Sequence, residues 1–494
     1  MKRLWHSRPG WRIAALASVA GAVAAAGHAP LYLWPLTLAG FAVLARLVGQ
    51  ADRGAGWIGL LGGAGYGAVA LSWIVEPFLI EPEVYGWMAP FALAFMALGL
   101  GAFWAVAAYA ARALPFRAPT YGFALTLTAM EYLRGHILTG FPWAMPGHVW
   151  ISTPVAQAGA WVGPTGLTLG LMLVAAALAG LRWRPAGAAL AALALVWGLG
   201  LWTLATPMPP DRAAMLRLVQ PNAEQALKWD PDQARLFLDR LLTASASAPP
   251  VDLVLWPETA LPYLLNRHPE LAPMIAAAGR GAPLAIGVQR EDGARFWNSL
   301  TVINPDGTVG QSYDKHHLVP FGEYVPLGDL AFRLFGLRAF AAQEGAGYSA
   351  GPGPQLLDFG AKMGRALPLI CYEAVFPQDV NAAPDRPDWL LQITNDAWFG
   401  TLSGPFQHAD QARMRAIEQG LPLVRVANTG VTAVYDARGR ERAALPFGTA
   451  GHLDTALPAP LPATWFSRFG EAPALLWLAG AGMLLLRRRS PKFS

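Results

Sequence analysis

The sequence predicts a membrane protein with eight transmembrane α-helices plus an α/β extracytoplasmic domain. Three observations predict it. Charged residues make up only 14% of the chain and apolar ones 54%, with 20 tryptophans, whereas soluble domains carry about 25% charged residues. Residues 1–206 are a succession of apolar segments, each near the ~20 residues that cross a bilayer. Residues 207–471 change character, with short strand-like runs alternating with helical stretches, as in an α/β domain.

In chain order, the apolar spans fall at 12–28, 30–48, 56–79, 87–111, 119–134, 160–181 and 186–206, the first, second and fifth being short. The first has the basic start of a signal peptide, but another apolar span follows directly, so it is expected to stay as an anchor. Charge placement sets the orientation. With a cytoplasmic amino terminus, Lys2, Arg3, Arg8 and Arg12, then Arg46 and Arg53, Arg112 and Arg117, and Arg182 and Arg184 all face inward. The opposite turns hold Glu76, Glu81 and Glu83, with Arg134 the one basic exception; this is the positive-inside pattern. Seven spans then place 207–471 outside the cytoplasm. Ala472–Leu486, followed by Arg487, Arg488, Arg489 and Lys492, makes an eighth span ending in a cytoplasmic tail. The expected division is 1–206, 207–471 and 472–494, with both termini cytoplasmic.

Within the membrane part, Gly59, Gly63 and Gly67 repeat every four residues, a small-residue face that lets helices approach closely. The glycines around Gly65 follow no strand, so they form no nucleotide loop. Glu131 and Arg134 make an ion pair at a span end. Just beyond it, Phe141, Pro142 and Trp143 are candidates to line a lipid entrance at the outer interface, where aromatic residues gather.

In the α/β part, strand-like runs occupy 216–219, 251–255, 284–288, 300–303, 366–370, 390–394 and 423–427, and helical stretches 232–242 and 407–418. Asn304-Pro-Asp-Gly307 reads as a turn between two strands. Several strands are apolar throughout, as in a sheet covered on both faces.

Cys371 is the only cysteine in the chain, which excludes an internal disulfide framework and a multi-cysteine zinc site. It follows the apolar run Ala366–Ile370, so it emerges at the carboxyl edge of a strand, where α/β sheets place ligands. A lone cysteine is more often a small core hydrophobe than a nucleophile. Its company argues for chemistry: Trp256-Pro-Glu258 also ends an apolar run, and Lys315 stands in Tyr313-Asp-Lys315. A nucleophilic thiol can hold an acyl group as a thioester, but with an ordinary pKa near 8.5 it needs a base or a cation to activate it. His316 and His317 lack other ligands at metal-binding spacing, so no metal is expected.

These three motifs, in this order and followed by Asn395-Asp-Ala-Trp-Phe-Gly400, resemble the carbon–nitrogen hydrolase (nitrilase) superfamily. The resemblance implies a nitrilase-like α-β-β-α sandwich with a Glu258, Lys315, Cys371 triad. The whole chain is similar to the apolipoprotein N-acyltransferase family, through Thr139-Gly-Phe-Pro-Trp143, Leu318-Val-Pro-Phe-Gly-Glu-Tyr-Val-Pro326, Gln411-Ala-Arg-Met-Arg-Ala416 and Ala427-Asn-Thr-Gly-Val431. That likeness implies a bacterial inner-membrane enzyme with a periplasmic catalytic domain. It implies a ping-pong reaction in which a phospholipid, typically phosphatidylethanolamine, gives its sn-1 acyl chain to Cys371. The chain then passes to the α-amino group of the diacylglyceryl-cysteine of an apolipoprotein. Glu258 is the implied base and Lys315 the implied oxyanion partner. Glu323 and Glu373 are candidates to orient Lys315 or the surroundings of the thiol, and Tyr372, Trp229 and Asn298 are further site candidates. No cofactor, metal or nucleic acid is called for.

Two rivals carry different chemistry. A membrane-tethered amidase or nitrilase would use the same triad to hydrolyse a small amide, though a soluble substrate needs no eight spans. A transporter with a periplasmic receptor domain fits less well, because the spans hold few charges and no paired broken helices.

Overall fold

The computed structural model describes residues 8–228, 230–293, 295–325 and 347–486. Lys2, Arg3, Trp229, Pro326, Arg487, Arg488, Arg489 and Lys492 lie outside the described residues. The chain forms two compact units. The first is Met1–Thr206 with Leu402–Asp410 and Thr464–Ser494; the second is Pro207–Thr401 with Gln411–Ala463. This differs from the expected division at two places, each for a visible reason. Gln407 accepts a hydrogen bond from Trp143 Nε1 at 2.8 Å, tying 402–410 to the first unit. The Phe466 ring fills the space beside Gly163, where an added Cβ would lie 2.1 Å from it, so Thr464 onward joins that unit too.

Helices of the first unit stand at each expected position: Trp11–Ala24, Trp34–Gln50, Ala55–Ala70 continued by the 3-10 turns Ser72–Leu79, Ala89–Ala113, Pro119–Arg134, Gly159–Ala179, Trp183–Ala205 and Ala472–Leu485. Length and composition alone do not establish all eight as spans. Among the described residues, three are long and apolar enough to cross a membrane, Pro82–Ala113, Pro154–Ala179 and Trp183–Ala205, and a fourth if the pair bent by 49° between Ala70 and Ser72 is one span. Trp11–Ala24 and Ala472–Leu485 have 14 residues each, about 21 Å of helix against a ~30 Å hydrocarbon core. Helix 183–205 is apolar yet only 6% buried within the unit, and Phe95, Trp183, Trp202 and Leu476 are all largely exposed.

Small residues bring helices 55–70 and 89–113 together. A Cβ on Gly59 would lie 2.2 Å from the Trp104 carbonyl oxygen, and one on Gly63 2.7 Å from Gly101 Cα. Trp104 then donates its indole N–H to Glu131 at 2.8 Å. Glu131 is fully buried and pairs with Arg134 at 2.5 Å. Arg134 also donates to the carbonyls of Phe141 and Trp143, which satisfies a buried guanidinium and fixes the chain leaving the helix. Trp143 is fully buried against Trp73 and His408, and Pro142 is buried. Of the three proposed entrance residues, only Phe141 keeps partial exposure.

The second unit is built on two six-stranded sheets. One runs β12-β1-β2-β3-β4-β5, from Gly451–Ala456 (β12), Met215–Gln220 (β1), Leu253–Leu255 (β2), Leu284–Asp292 (β3), Arg295–Ile303 (β4) and Val309–Asp314 (β5). The other runs β11-β10-β9-β8-β7-β6, from Glu441–Ala444 (β11), Ala433–Tyr435 (β10), Leu423–Ala427 (β9), Trp389–Thr394 (β8), Arg365–Ile370 (β7) and Leu357–Asp358 (β6). Alternation along each strand assigns the faces. From β7, Ala366 and Ile370 enter the core that also holds Leu216, Leu255, Leu391 and Val424, whereas Leu367 and Leu369 turn to the opposite face. There they meet Ala412 and Ala416 of helix Gly404–Gln419. On the first sheet Val254 and Ile286 pack outward against Leu238 and Leu241 of helix Pro231–Ser245 and Ile275 of helix Leu271–Ala278. The layers are therefore α-β-β-α, and strands β7 and β8, buried on both faces, are largely apolar. The predicted turn at Asn304–Gly307 joins the antiparallel strands β4 and β5.

A side chain at Gly59 must push on backbone at Trp104. Gly59→Val is expected to destabilise the protein by about 1–3 kcal/mol, read as a lower thermal midpoint in detergent. Gly99→Ala, where a Cβ meets nothing within 4 Å, should leave the midpoint nearly unchanged.

Candidate active site

Strand β7 stops at Ile370 and the chain turns at once into a 3-10 turn, Cys371–Val375. Cys371 itself sits at φ 51°, a left-handed conformation that is strained for a side-chain-bearing residue. Two bonds hold it there. Glu373, two residues on, accepts from the Ile370 N–H at 2.7 Å, and Gln392 from the adjacent strand β8 donates to the Cys371 carbonyl at 3.1 Å. The thiol is buried at 6% exposure.

Glu258 follows β2 and is fixed through both carboxylate oxygens. Asn298 Nδ2, from β4, donates to Oε1 at 2.6 Å, and the Asn395 N–H, at the end of β8, donates to Oε2 at 2.8 Å. Lys315 follows β5 and is held through its main chain, donating N–H to the Asn298 carbonyl at 2.9 Å. Its Nζ lies 2.8 Å from Glu323 Oε2 and 3.6 Å from Glu258 Oε1. Glu323 in turn accepts from Asn298 Nδ2 and from the Val319 N–H. All of these side chains are buried.

The charges decide the protonation states. Burial opposes charge on Lys315, but the carboxylates of Glu323 and Glu258 outweigh it, so its proton affinity rises above that of a free lysine. Burial pushes the Cys371 thiol up, the Glu258 charge pushes it further, and the Lys315 ammonium only partly opposes them. The resting arrangement is a neutral thiol beside a permanent cation and a carboxylate. The Lys315 cation offsets only part of what burial does to the thiol, so a base would be the group to take its proton.

The carbon-nitrogen hydrolase family model matches residues 212–463, and the apolipoprotein N-acyltransferase N-terminal domain matches residues 20–177. The chain is 37% identical to an apolipoprotein N-acyltransferase of Caulobacter vibrioides, over 99% of this chain and 97% of the relative. It is 38% identical to that of Bradyrhizobium diazoefficiens (98% and 96%) and 37% identical to that of Brucella melitensis (97% and 97%). The chain belongs to the apolipoprotein N-acyltransferase family.

Against that family background, the structure brings Glu258, Lys315, Glu323 and Asn298 into one hydrogen-bonded cluster whose charges act on Cys371. Of the two roles expected for Glu373, the contacts match the one at the surroundings of the thiol. Glu373 bonds not to Lys315 but to the Tyr313 hydroxyl, the His316 and His317 N–H groups and the Ile370 N–H. It thus pins the loop after Lys315 to the strand end that carries Cys371. Tyr372 is buried, its ring edge-on to His317 and Phe376. Sequence reasoning missed Gln392, which holds the Cys371 carbonyl, and the pairing of His316 and His317 with Asp379. None of these lies in a pattern that spacing alone reveals.

Burial alone would lower the proton affinity of His316, but hydrogen bonds and charges from Asp379 and Glu373 lift it from 6.5 to about 9. A group raised in this way stabilises the fold fully below its unfolded value, and that contribution fades as pH rises through the folded value. His316→Gln should therefore depress the thermal midpoint most near pH 6. The gap from wild type should close as pH is raised through 9; a gap that widens with pH would contradict the pairing.

Proposed function

We propose that this chain transfers an acyl chain from a membrane phospholipid to the amino terminus of a diacylated lipoprotein, through a thioester on Cys371. The observation that carries this reading is the buried cluster itself: a single neutral thiol, a carboxylate held through both oxygens, and a fixed ammonium.

The steps follow from those states. Glu258 takes the Cys371 proton as sulfur attacks the sn-1 ester carbonyl, phosphatidylethanolamine being the proposed donor. Charge developing on the carbonyl oxygen is met by Lys315, whose ammonium needs no reorganisation because Glu323 already orients it. Collapse breaks the ester C–O bond, and the leaving glycerol oxygen takes the proton back from Glu258, releasing a lysophospholipid. The α-amino group of the diacylglyceryl-cysteine then attacks the thioester and gives a proton to Glu258. The C–S bond breaks and the thiol is reprotonated, leaving an amide.

The exposed apolar surface on helices 89–113 and 183–205 supports a membrane setting. We place the first unit in the bacterial inner membrane with eight segments embedded, the shorter ones reaching only part of the bilayer thickness. The second unit then lies on the periplasmic side, as the arginines at 46, 53, 112, 117, 182 and 184 require of the opposite face. Both substrates are lipids, so an enzyme embedded beside them need not extract either into water. This is also what separates the reading from a tethered amidase.

In detergent micelles with phosphatidylethanolamine and a synthetic diacylglyceryl-cysteine peptide, wild type is expected to release lysophospholipid and add one acyl mass to the peptide. Cys371→Ala should lower that rate by about 1,000-fold or more. Turnover of a small amide with no acyl transfer would replace this reading with the tethered amidase.

A further inference from the structure

One buried cation of the second unit has no part in the mechanism above. Lys228 ends the turn that follows β1, at 3% exposure. Its Nζ donates to the Thr259 hydroxyl at 2.7 Å and approaches the Glu258 carbonyl oxygen at 3.4 Å. Thr259 is at φ 44°, a conformation that is costly for a β-branched residue and persists only when its surroundings impose it. On the other side of this peptide stands Gly287, where a Cβ would lie 2.2 Å from the Pro257 carbonyl oxygen and 2.6 Å from Glu258 Cα. The backbone carrying Glu258 is therefore gripped between β3 and Lys228.

The same turn also reaches the other support of the carboxylate. Gln225 Oε1 accepts from Asn395 Nδ2 at 2.7 Å, and it is the Asn395 N–H that bonds Glu258 Oε2. Asn428 completes the tie, donating to Asn395 Oδ1 and to the Ala223 carbonyl at 2.9 and 2.8 Å. Residues 223–228 thus touch Glu258 from its main chain and, through Asn395, from its carboxylate.

We propose that Lys228 is a positioning residue for Glu258, its buried ammonium holding the Glu258–Thr259 peptide so that the carboxylate meets the Cys371 thiol. This rests on the reading of Glu258 as the base. Burying an ammonium away from water is costly, so Lys228→Met removes that cost together with the contacts to Thr259 and the Glu258 carbonyl. Burial pulls Lys228 down to about 8, with the Glu258 charge holding it up against that effect. A purely structural lysine and a positioning lysine make different predictions: removing the first lowers the rate only in step with stability, whereas removing the second lowers the rate beyond any loss of stability.

The test compares wild type, Lys228→Met, Thr259→Ala and Thr259→Ser as full chains in detergent. It reads single-turnover acylation by phosphatidylethanolamine, alkylation of Cys371 by iodoacetamide, and thermal midpoint. Lys228→Met is expected to slow acylation about 10–100-fold and to slow alkylation as well, with KM for the phospholipid little changed and a midpoint within about 3 °C of wild type. Thr259→Ala should slow acylation in the same direction, and Thr259→Ser should recover most of the loss. Wild-type rates in Thr259→Ala, or rates in Lys228→Met that fall only in step with its midpoint, would overturn the inference. If Lys228→Met does not fold, its role is structural and the inference fails. If wild type itself forms no acyl adduct, it is the reading of the triad that fails.

Discussion

One ammonium held between two carboxylates inside the protein is the constraint on which the site depends. Lys315 is 1% exposed, Glu258 6% and Glu323 4%, so each of these charges has given up most of its water. Such a group is tolerable only if every partner is in place, and removing one partner of a buried pair typically costs about 3–5 kcal/mol. Asn298 supplies the shared donor, bonding Glu258 and Glu323 with one amide nitrogen while its main-chain carbonyl holds Lys315. Burial, with the Glu258 charge added to it, raises the proton affinity of the Cys371 thiol, and the Lys315 ammonium opposes them only in part.

The two sheets exist, in functional terms, to bring four strand ends to this point. Glu258 follows β2, Asn298 lies on β4 and Lys315 follows β5 in one sheet; Cys371 follows β7 and Asn395 follows β8 in the other. The core between the sheets, from Leu218 and Leu255 to Ile370 and Ile393, fixes their spacing. Errors in that core would be felt as a displaced Glu258 or Cys371, and in the proposed reaction misplacement of reacting groups by about 1 Å is enough to cost two orders of magnitude in rate. Glu373 adds a local brace, joining the loop after Lys315 to the strand end at Ile370 through one carboxylate.

Much of this is legible in the sequence, and the parts that are not share a cause. Strand ends at Glu258 and Cys371 show as apolar runs stopped by a polar residue, because β2 and β7 are buried on both faces. Strands β6, β10, β11 and β12 escape notice because they are short or half-exposed, as in Glu441–Ala444. Trp143 reads as an interfacial aromatic, yet its partner Gln407 is 264 residues away, beyond any local pattern. Lys228 is one lysine in a polar turn, and only the fold shows it against Thr259. The shifts of Cys371 and Lys315 likewise come from burial and from Glu258, which lies far from both in sequence. Hydropathy places the apolar helices but does not measure them: composition locates such a helix, whereas caps and bends, such as that between Ala70 and Ser72, set its length.

The central claim is that Cys371 carries the acyl group between the two lipids. Intact mass of the purified chain after incubation with phosphatidylethanolamine alone tests it most directly, for wild type and Cys371→Ser, before and after neutral hydroxylamine. One fatty-acyl increment is expected on wild type only, removed by hydroxylamine and discharged by a diacylglyceryl-cysteine peptide. An increment that survives hydroxylamine, or none on wild type while the peptide is still acylated, would contradict that claim.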